Sequence, residues 1–138
     1  MIIYAAVIGT GIGLKHVEAI NNYKGSKVLY ICEKNKNKIP KLKKIFPGVE
    51  ILNNEKKIFE DKKINLISIA SYDNFHFSQI IKSIKNKKNI IVEKPLCLRE
   101  SQLHIIMQKL RKEKKISITS NLPLRVNSLF KKIKKNIN

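Results

Sequence analysis

The chain has 138 residues, 43% of them hydrophobic, and a formal net charge of +19 at pH 7. A chain of this length supports one hydrophobic core, and the composition is that of a folded protein, which excludes bulk disorder. No apolar run is long enough to span a membrane, and the apolar N-terminus has neither a basic flank nor a cleavage site. These features predict a cytoplasmic protein with no membrane partner.

The positive charge consists almost entirely of lysine. Arginine occurs only at Arg99, Arg111 and Arg125. Base recognition in nucleic acids favours the bidentate arginine side chain, and the sequence shows no aromatic platform for base stacking. The lysines are spread over the polar positions of all predicted helices, which is typical of a solvated surface. We therefore predict no nucleic-acid partner.

Apolar runs alternate with amphipathic segments along the chain. The runs predict six strands, over residues 2–8, 27–32, 49–52, 64–70, 89–92 and 116–119. Helical spacing predicts a short basic helix over 38–46, another short helix that Asn54 can cap, and longer helices over 13–23, 75–86, 100–112 and 127–138. Strands alternating with helices indicate right-handed crossovers, so the fold class is α/β. We predict a Rossmann-type doubly wound parallel sheet of about six strands, with helices on both faces.

The first predicted strand runs directly into Gly9-Thr10-Gly11-Ile12-Gly13. Gly9 permits a tight turn, Gly11 lets the backbone approach a phosphate, and Gly13 lets a helix pack closely on a strand. Exposed amides at the start of that helix attract anions, so these five residues are predicted to bind the pyrophosphate of a dinucleotide. The third glycine comes one position early for the dinucleotide pattern. A methyltransferase that binds S-adenosylmethionine and a turn without a ligand both remain alternatives.

Glu33 ends the second predicted strand, 20 residues after Gly13. An acidic residue at that distance binds ribose hydroxyls in dinucleotide-binding domains. The carboxylate repels a 2′-phosphate, which favours NAD as the cofactor. Lys34 and Lys36 can offset this repulsion, so NADP stays open, and the alternative role is a surface glutamate.

The turn after the fourth predicted strand supplies further candidates for cofactor binding: Ser71, Tyr72, Asn74 and His76. Ligands of open parallel sheets lie beyond the carboxyl ends of the strands, so this turn is expected to border the nicotinamide ribose. Asn74 is equally suited to cap the following helix. A lone histidine such as His76 is more often structural than catalytic.

The fifth predicted strand ends in Glu93-Lys94-Pro95, the sharpest polar turn in the chain. We predict that Lys94 is catalytic, donating to a substrate hydroxyl or carbonyl and stabilising alkoxide charge during hydride transfer. Glu93 would hold the Lys94 ammonium or contact the nicotinamide. The glycine turn and Lys94 should open onto one crevice, whereas the alternative for Lys94 is one more surface lysine.

No metal site is predicted. His16 and His104 show no ligand spacing with each other, with His76 or with an acidic pair. Cys32 and Cys97 are isolated in sequence, and we expect the first in the core and the second in a packing role.

In combination, these segments resemble the N-terminal domain of the glucose–fructose oxidoreductase and inositol dehydrogenase (Gfo/Idh/MocA) family. The resemblance covers nearly the whole chain and rests on Val7–Gly11 with His16, Glu33, Ser71–His76, Val92–Leu96 and Asn121–Arg125. It implies an NAD- or NADP-dependent oxidoreductase that acts on a hydroxyl of a sugar, cyclitol or similar metabolite. It further implies that Lys94 contacts the nicotinamide region and the substrate, and that Arg125 lines the substrate side.

The same resemblance divides the chain into a dinucleotide-binding domain (1–120) and the start of a linker and second domain (121–138). The family's C-terminal α/β domain, with its substrate sheet and acid/base histidine, is absent from these residues. We therefore expect a truncated chain that binds cofactor but is inactive alone, with a separate or missing C-terminal domain as its partner. The non-enzymatic alternative is a nucleotide-binding or interaction module.

Overall fold

The computed structural model describes residues 2–137, so Met1 and Asn138, the outer ends of the two predicted domains, lie outside the described residues. Strands and helices alternate, with 3₁₀ turns at Lys36–Lys38 and Pro123–Arg125. The strands are β1 (Ile3–Ile8), β2 (Ser26–Cys32), β3 (Glu50–Leu52), β4 (Leu66–Ile69), β5 (Asn89–Val92) and β6 (Ile118–Ser120). The helices are α1 (Gly13–Asn22), α2 (Ile39–Ile45), α3 (Lys56–Glu60), α4 (Asp73–Lys85), α5 (Glu100–Lys112) and α6 (Ser128–Ile137).

The six strands form one parallel sheet in the order β3-β2-β1-β4-β5-β6. The prediction of a doubly wound sheet is therefore confirmed. The strand order reverses between β1 and β4. From β1 the chain adds β2 and β3 on one side of the sheet, then crosses back and adds β4, β5 and β6 on the other side. Such a reversal opens a crevice at the carboxyl ends of the two central strands.

The strands end at one level of the sheet. Their register aligns the last residue of each strand in a single row: Leu52, Cys32, Ile8, Ile69, Val92 and Ser120. One residue further along, the amides still bond to the neighbouring strand: Gly9 N donates to Cys32 O at 2.9 Å and Glu93 N to Ile69 O at 2.9 Å. The loops that follow these strands therefore leave from a common edge, which is where the site residues are predicted.

Two hydrophobic layers cover the two faces of the sheet, as predicted. Alternate residues of β1 point to opposite sides, so Ala5 and Val7 pack with residues of α1 and α2. Ala6 and Ile8 pack in the other layer, against residues of α3, α4 and α5. Burial on both faces explains why β1 is a continuous apolar run in the sequence.

Two strands are shorter or later than predicted because asparagine side chains take over backbone pairing. The fourth strand was predicted over 64–70, but Asn65 Oδ1 accepts from Tyr4 N at 3.1 Å and β4 begins only at Leu66. The last strand was predicted to begin at residue 116. Instead, Asn89 Oδ1 accepts from Ser117 N at 3.0 Å, and β6 begins at Ile118.

The ends of the helices also differ in detail from the prediction. The N-cap of α3 is Glu55, one residue later than predicted, although Asn54 Oδ1 still accepts from Lys56 N at 3.2 Å. The predicted cap of α4 by Asn74 is wrong, because α4 begins at Asp73 and Asn74 lies inside its first turn. The helix predicted over 38–46 begins with a 3₁₀ turn and continues as α2, with Pro40 in its first turn.

The last helix exposes its apolar side. In α6 the exposed large hydrophobic residues are Leu129, Phe130, Ile133 and Ile137. Within residues 2–137, no helix combines the length and the apolar character that a bilayer crossing requires.

Candidate functional site

A cleft of about 320 Å³ lies at the carboxyl edge of the sheet. The loops that follow β1, β2 and β4 form its walls. Its lining comprises Ile8, Gly9, Thr10, Gly11, Ile12, Cys32, Glu33, Lys34, Lys38, Ala70, Ser71, Tyr72, Phe75 and Gln79. The structure therefore brings residues 9–12 of the predicted glycine turn, Glu33, and Ser71 and Tyr72 of the β4 turn together in one cavity. The other predicted site residues do not line it: Gly13, Asn74, His76, Glu93, Lys94 and Arg125.

The glycine turn has the geometry that its first two glycines predict. Gly9 has a φ of +96°, and a Cβ added there would lie 2.3 Å from the backbone oxygen of Ala70. Only glycine fits such a position without strain. At Gly11 an added Cβ would meet no atom within 4 Å, so open space lies over the backbone. A phosphate group can approach there.

The third glycine packs α1 against the sheet. A Cβ added at Gly13 would lie 3.1 Å from both Ala70 Cβ and Val7 Cγ1. The early position of this glycine in the sequence therefore still gives the close helix-to-strand approach. Thr10, Gly11 and Ile12 lie between β1 and α1, and within residues 2–137 their backbone amides donate no hydrogen bond to another backbone group. They are donors that an anion at the start of α1 can use.

Glu33 lies beside the glycine turn. Its carboxylate accepts hydrogen bonds from Thr10 Oγ1 and from Asn35 N, the latter at 2.8 Å. The side chain is only 11% exposed. These contacts hold the carboxylate at the end of β2, one strand away from the turn that would carry the pyrophosphate. This is the placement that ribose recognition requires.

The lysines around Glu33 are arranged differently from the prediction. The sequence pointed to Lys34 and Lys36 as the residues that offset the acidic charge. In the structure Lys38 approaches the carboxylate, with Nζ at 3.9 Å, and Lys38 lines the cleft whereas Lys36 does not. The Lys34 ammonium lies 3.8 Å from the centre of the Phe75 ring, a cation–π contact.

The turn after β4 is anchored from below by a buried glutamine. Ser71 Oγ donates to Gln79 Oε1 at 2.6 Å, and Gln79 Nε2 donates to Glu55 Oε2 at 2.7 Å. Gln79 is only 1% exposed. Tyr72 and Asn74 are exposed, and Tyr72 lines the cleft. Ser71 and Tyr72 are therefore within reach of a ligand in the cleft.

His76 joins the β4 turn to the β5 turn. Its imidazole is fully buried, with Nδ1 2.7 Å from Pro95 O and Nε2 3.1 Å from Ser71 O. A ring enclosed in this way supports the two turns and has no surface to offer a ligand. The geometry therefore favours the structural role for His76 over the direct cofactor contact.

Glu93 is buried at the end of β5 and is bound on several sides. Its Oε1 accepts from His16 Nε2 at 2.8 Å and from Asn121 Nδ2 at 2.5 Å, while Oε2 accepts from Lys94 N at 3.3 Å. Burial by itself would raise the pKa of Glu93, but the bonds from Asn121 and His16 outweigh it and hold the pKa below its ordinary value. The predicted pairing of Glu93 with the Lys94 ammonium is wrong, because the side chains that bond to its carboxylate are those of His16 and Asn121.

His16 also contacts Ser68 Oγ, with Nδ1 at 2.6 Å. Ser68, His16 and Glu93 are thus connected by hydrogen bonds in the same order as the serine, histidine and carboxylate of a hydrolase triad. Ser68, however, is fully buried in the middle of β4. A nucleophile must reach its substrate, so this group of residues is structural.

Lys94 follows Glu93 and is exposed. The peptide bond between Lys94 and Pro95 is cis. Over residues 2–137 its ammonium group forms no ion pair within 4.0 Å. The hydrogen bonds of His76 tie this turn to the Ser71 turn of the cleft. Arg125 lies in the 3₁₀ turn that begins two residues after Asn121, and it is exposed.

The cysteines have the environments predicted for them. Cys32 is buried in β2, and burial, with a smaller contribution from Glu55, raises the pKa of its thiol to about 11. Cys97 is partly buried and packs against the larger hydrophobic layer. In the described range 2–137, no three His, Cys, Asp or Glu side chains converge as a metal site would require.

His16 and Gln79, which hold the turns of the site in place, could have been found from the sequence as polar residues on the buried faces of helices. His16 falls on the same face of α1 as the buried residues Gly13, Val17 and Ile20. Gln79 lies on the buried face of α4 next to Ile80. A polar residue on the buried stripe of an amphipathic helix must find a partner in the core, and this rule would have selected both.

Residues 3–121 match the Gfo/Idh/MocA family, described as an oxidoreductase family with an NAD-binding Rossmann fold. Solved structures share the fold. Scyllo-inositol dehydrogenase from Lactobacillus casei, with bound NAD(H) and scyllo-inositol, is 19% identical with a TM-score of 0.87. Myo-inositol dehydrogenase from the same organism is 21% identical, also with a TM-score of 0.87.

A third similar structure is the WlbA dehydrogenase from Bordetella pertussis in complex with NADH and UDP-GlcNAcA, 17% identical with a TM-score of 0.87. Each match covers 99% of this chain, but only 41% of the two inositol dehydrogenases and 42% of the WlbA dehydrogenase. The match leaves the methyltransferase alternative without support. The chain belongs to the Gfo/Idh/MocA oxidoreductase family, and residues 3–121 are its NAD-binding Rossmann domain.

Proposed function

We propose that this chain is the cofactor-binding part of an NAD-dependent oxidoreductase that transfers a hydride to or from the carbinol carbon of a sugar, cyclitol or similar metabolite. The observation that carries the proposal is the shared level of the strand ends. It sets the glycine turn, Glu33 and the Glu93-Lys94 turn along one edge of the sheet. Bound NAD would supply the hydride acceptor.

The order of strands indicates how the dinucleotide would lie. The free amides after β1 suit the pyrophosphate, and Glu33 on β2 suits the hydroxyls of the adenine ribose. The nicotinamide half then extends the other way, over β4 and β5, towards Ser71, Tyr72, Asn74 and Glu93. Neighbouring strands lie about 4.8 Å apart, so the ends of β2 and β5 are separated by roughly 14 Å. A dinucleotide covers such a span, whereas a mononucleotide does not.

Lys94 is proposed as the catalytic residue at the nicotinamide end. Its exposed ammonium can donate to the substrate oxygen and stabilise the alkoxide that forms when the hydroxyl loses its proton. Loss of the hydride from the carbinol carbon then converts that alkoxide to a carbonyl group. The released hydroxyl proton needs a base. By the family resemblance, the base is a histidine of a second domain, for which residues 121–138 form the linker and Arg125 lines the substrate side.

The substrate class rests on the family and on what the similar structures bind. Inositols and UDP-GlcNAcA occupy the similar dehydrogenases. This chain covers about two fifths of their length, so a C-terminal domain is proposed as the partner that completes activity. NAD is favoured over NADP because the Glu33 carboxylate would repel a 2′-phosphate, although Lys38 lies close enough to reduce that repulsion.

The proposal is tested by titrating the chain with NADH and NADPH in a calorimeter. We expect NADH to bind more tightly than NADPH. Gly11→Val should abolish binding, because its side chain would fill the open space where the pyrophosphate approaches. Gly48→Val is the matched control, since a Cβ there also meets no atom within 4 Å but the residue does not line the cleft. Failure of the wild-type chain to bind either cofactor would refute the proposal.

The catalytic role is tested in a fusion of this chain to the second domain of a similar dehydrogenase. We expect NADH formation with that domain's own substrate, and we expect Lys94→Ala to remove it while NADH affinity stays within a few-fold. Lys112→Ala, an exposed lysine at the end of α5, is the control. Full activity of the Lys94→Ala fusion would exclude the catalytic role.

A further inference from the structure

We propose that His16 is a positioning residue for the nicotinamide half of the site. The geometry points to an imidazole that fixes the turn after β5, which carries Glu93 and Lys94, to helix α1. The first turn of the same helix faces the proposed pyrophosphate position. The inference rests on the proposed NAD site and adds to it a coupling between helix α1 and the turn after β5, through two residues that lie 77 positions apart.

The hydrogen bond from His16 to Glu93 has a fixed direction. A carboxylate can only accept, so Nε2 carries a proton and donates a hydrogen bond to Glu93 Oε1 at 2.8 Å. Nδ1 lies 2.6 Å from the hydroxyl of Ser68, which can donate or accept, so the ring bonds to both partners. His16 thus bridges β4 and the end of β5 from the helix above them.

Glu93 transmits this position to Lys94. Its carboxylate is only 11% exposed, and its donors are His16, Asn121 and the backbone amide of Lys94. A buried carboxylate that loses a donor must move towards water or another partner, because an unsatisfied buried charge is costly. Any such movement displaces the amide of Lys94, and with it the backbone of the turn beside the proposed nicotinamide position. The effect on NADH binding is therefore larger than the loss of the Lys94 side chain alone would cause.

The network lies entirely on the nicotinamide side of β1. Ser68, Glu93 and Asn121 belong to or follow β4, β5 and β6. The adenosine side uses different contacts, from Thr10 and Asn35 to Glu33. Loss of the His16 imidazole should therefore weaken binding of the nicotinamide half and leave the adenosine half unchanged.

The experiment compares NADH with ADP-ribose, which lacks the nicotinamide, by calorimetry on the 138-residue chain. We expect His16→Ala to weaken NADH binding about tenfold and to change ADP-ribose binding by less than about twofold. His16→Gln should recover most of the loss, because its amide can still donate to Glu93. His104→Ala is the control: this histidine is exposed on α5 and contacts only Glu100, at 3.6 Å.

The outcomes separate the inference from the proposed function. Equal weakening of both ligands by His16→Ala would mean that α1 is simply misplaced, and no weakening would mean that the network does not matter; either result overturns the inference. If His16→Ala does not fold, Ser68→Ala removes the hydroxyl that holds Nδ1, and it should give a smaller, about threefold, loss confined to NADH. A wild-type chain that bound neither ligand would refute the NAD site itself.

Discussion

Replacement of Gly9 by alanine is the sharpest test of the fold at the glycine turn. The backbone there has a φ of +96°, and the added Cβ would lie 2.3 Å from Ala70 O, 2.7 Å from Ala70 C and 2.8 Å from Ser71 N. All three atoms are backbone atoms of the turn after β4. They cannot rotate away as the end of a long side chain would, so the ends of β1 and β4 must separate.

The magnitude follows from two costs and one gain. A positive φ costs an L-residue roughly 1–2 kcal/mol. Carbon and oxygen atoms without a bond lie about 3.4 Å apart, so relief of the closest contact needs a movement of roughly 1 Å. Overpacking of this kind costs about 1–3 kcal/mol. Alanine recovers about 0.4–1 kcal/mol by stiffening the unfolded chain. The expected loss of unfolding free energy is about 3 kcal/mol.

The assay is urea unfolding followed by far-UV circular dichroism. With an m-value of about 2 kcal/mol/M, a loss of this size lowers the midpoint by about 1.5 M. Gly25→Ala is the matched control for backbone strain alone, because Gly25 has a φ of +83° and a Cβ there meets no atom within 4 Å. Its loss should be about 1 kcal/mol or less. Gly11→Ala should leave the midpoint unchanged, since its Cβ also finds open space.

One outcome of the comparison between Gly9→Ala and Gly25→Ala would contradict the close contact at Gly9. If Gly9→Ala lowered the midpoint no more than Gly25→Ala does, the close approach of Gly9 to the Ala70 backbone would not exist in solution. Gly9 would then not set the spacing of β1 and β4, and the cleft between them would have a different geometry from the one described above.

Three further predictions concern stability and cofactor choice. Tyr30 donates to Asp61 at 2.6 Å. This bond, with burial, raises the pKa of Tyr30 to about 12, and the same bond, with one from the Lys63 amide, lowers the pKa of Asp61. Unfolding free energy should therefore fall between pH 10 and 12, where only the unfolded chain loses the phenol proton, and again as acid protonates Asp61. Urea titrations of Tyr30→Phe should show smaller falls in both windows and a loss of about 1 kcal/mol at pH 7; unchanged pH profiles would count against the bond. Lys88→Met should cost about 2 kcal/mol in the same assay, because the buried ammonium donates to two backbone carbonyls at 2.7 Å, whereas the exposed Lys85→Met should cost almost nothing. Glu33→Gln should narrow the difference between NADH and NADPH affinity measured by calorimetry, and an unaltered ratio would remove Glu33 from cofactor selection.

Much of the fold could be predicted because its signals are local. Continuous apolar runs marked β1 and β5, helical spacing marked α4 and α5, and the alternation of the two required a parallel sheet with crossovers. The errors occurred at ends, where one side chain decides the outcome. The side chain of Asn65 accepts from the Tyr4 amide of β1, and the side chain of Asn89 accepts from the Ser117 amide just before β6. No periodicity in the sequence reveals such a choice.

The residues of the candidate site also divide into those that local sequence predicts and those that it does not. The glycine turn and Glu33 were predictable because turn chemistry and spacing along the chain define them. The hydrogen-bond partner of the Glu93 carboxylate could not be predicted, because that partner, His16, lies in a helix 77 residues earlier. The same limit applies to Lys38, which approaches Glu33 in place of the predicted Lys36.

The order of the elements, the parallel sheet and the position of the cofactor turn can all be read from the sequence, since each depends on residues that are neighbours along the chain. The pairing of the buried polar groups cannot, because it depends on the fold: Ser68 meets His16, His16 meets Glu93, and Glu93 meets Asn121. These residues meet because strand register aligns the carboxyl ends of β1, β4, β5 and β6 at one edge. Once they are aligned, a buried carboxylate must bond to whichever donors lie there, however distant they are in sequence.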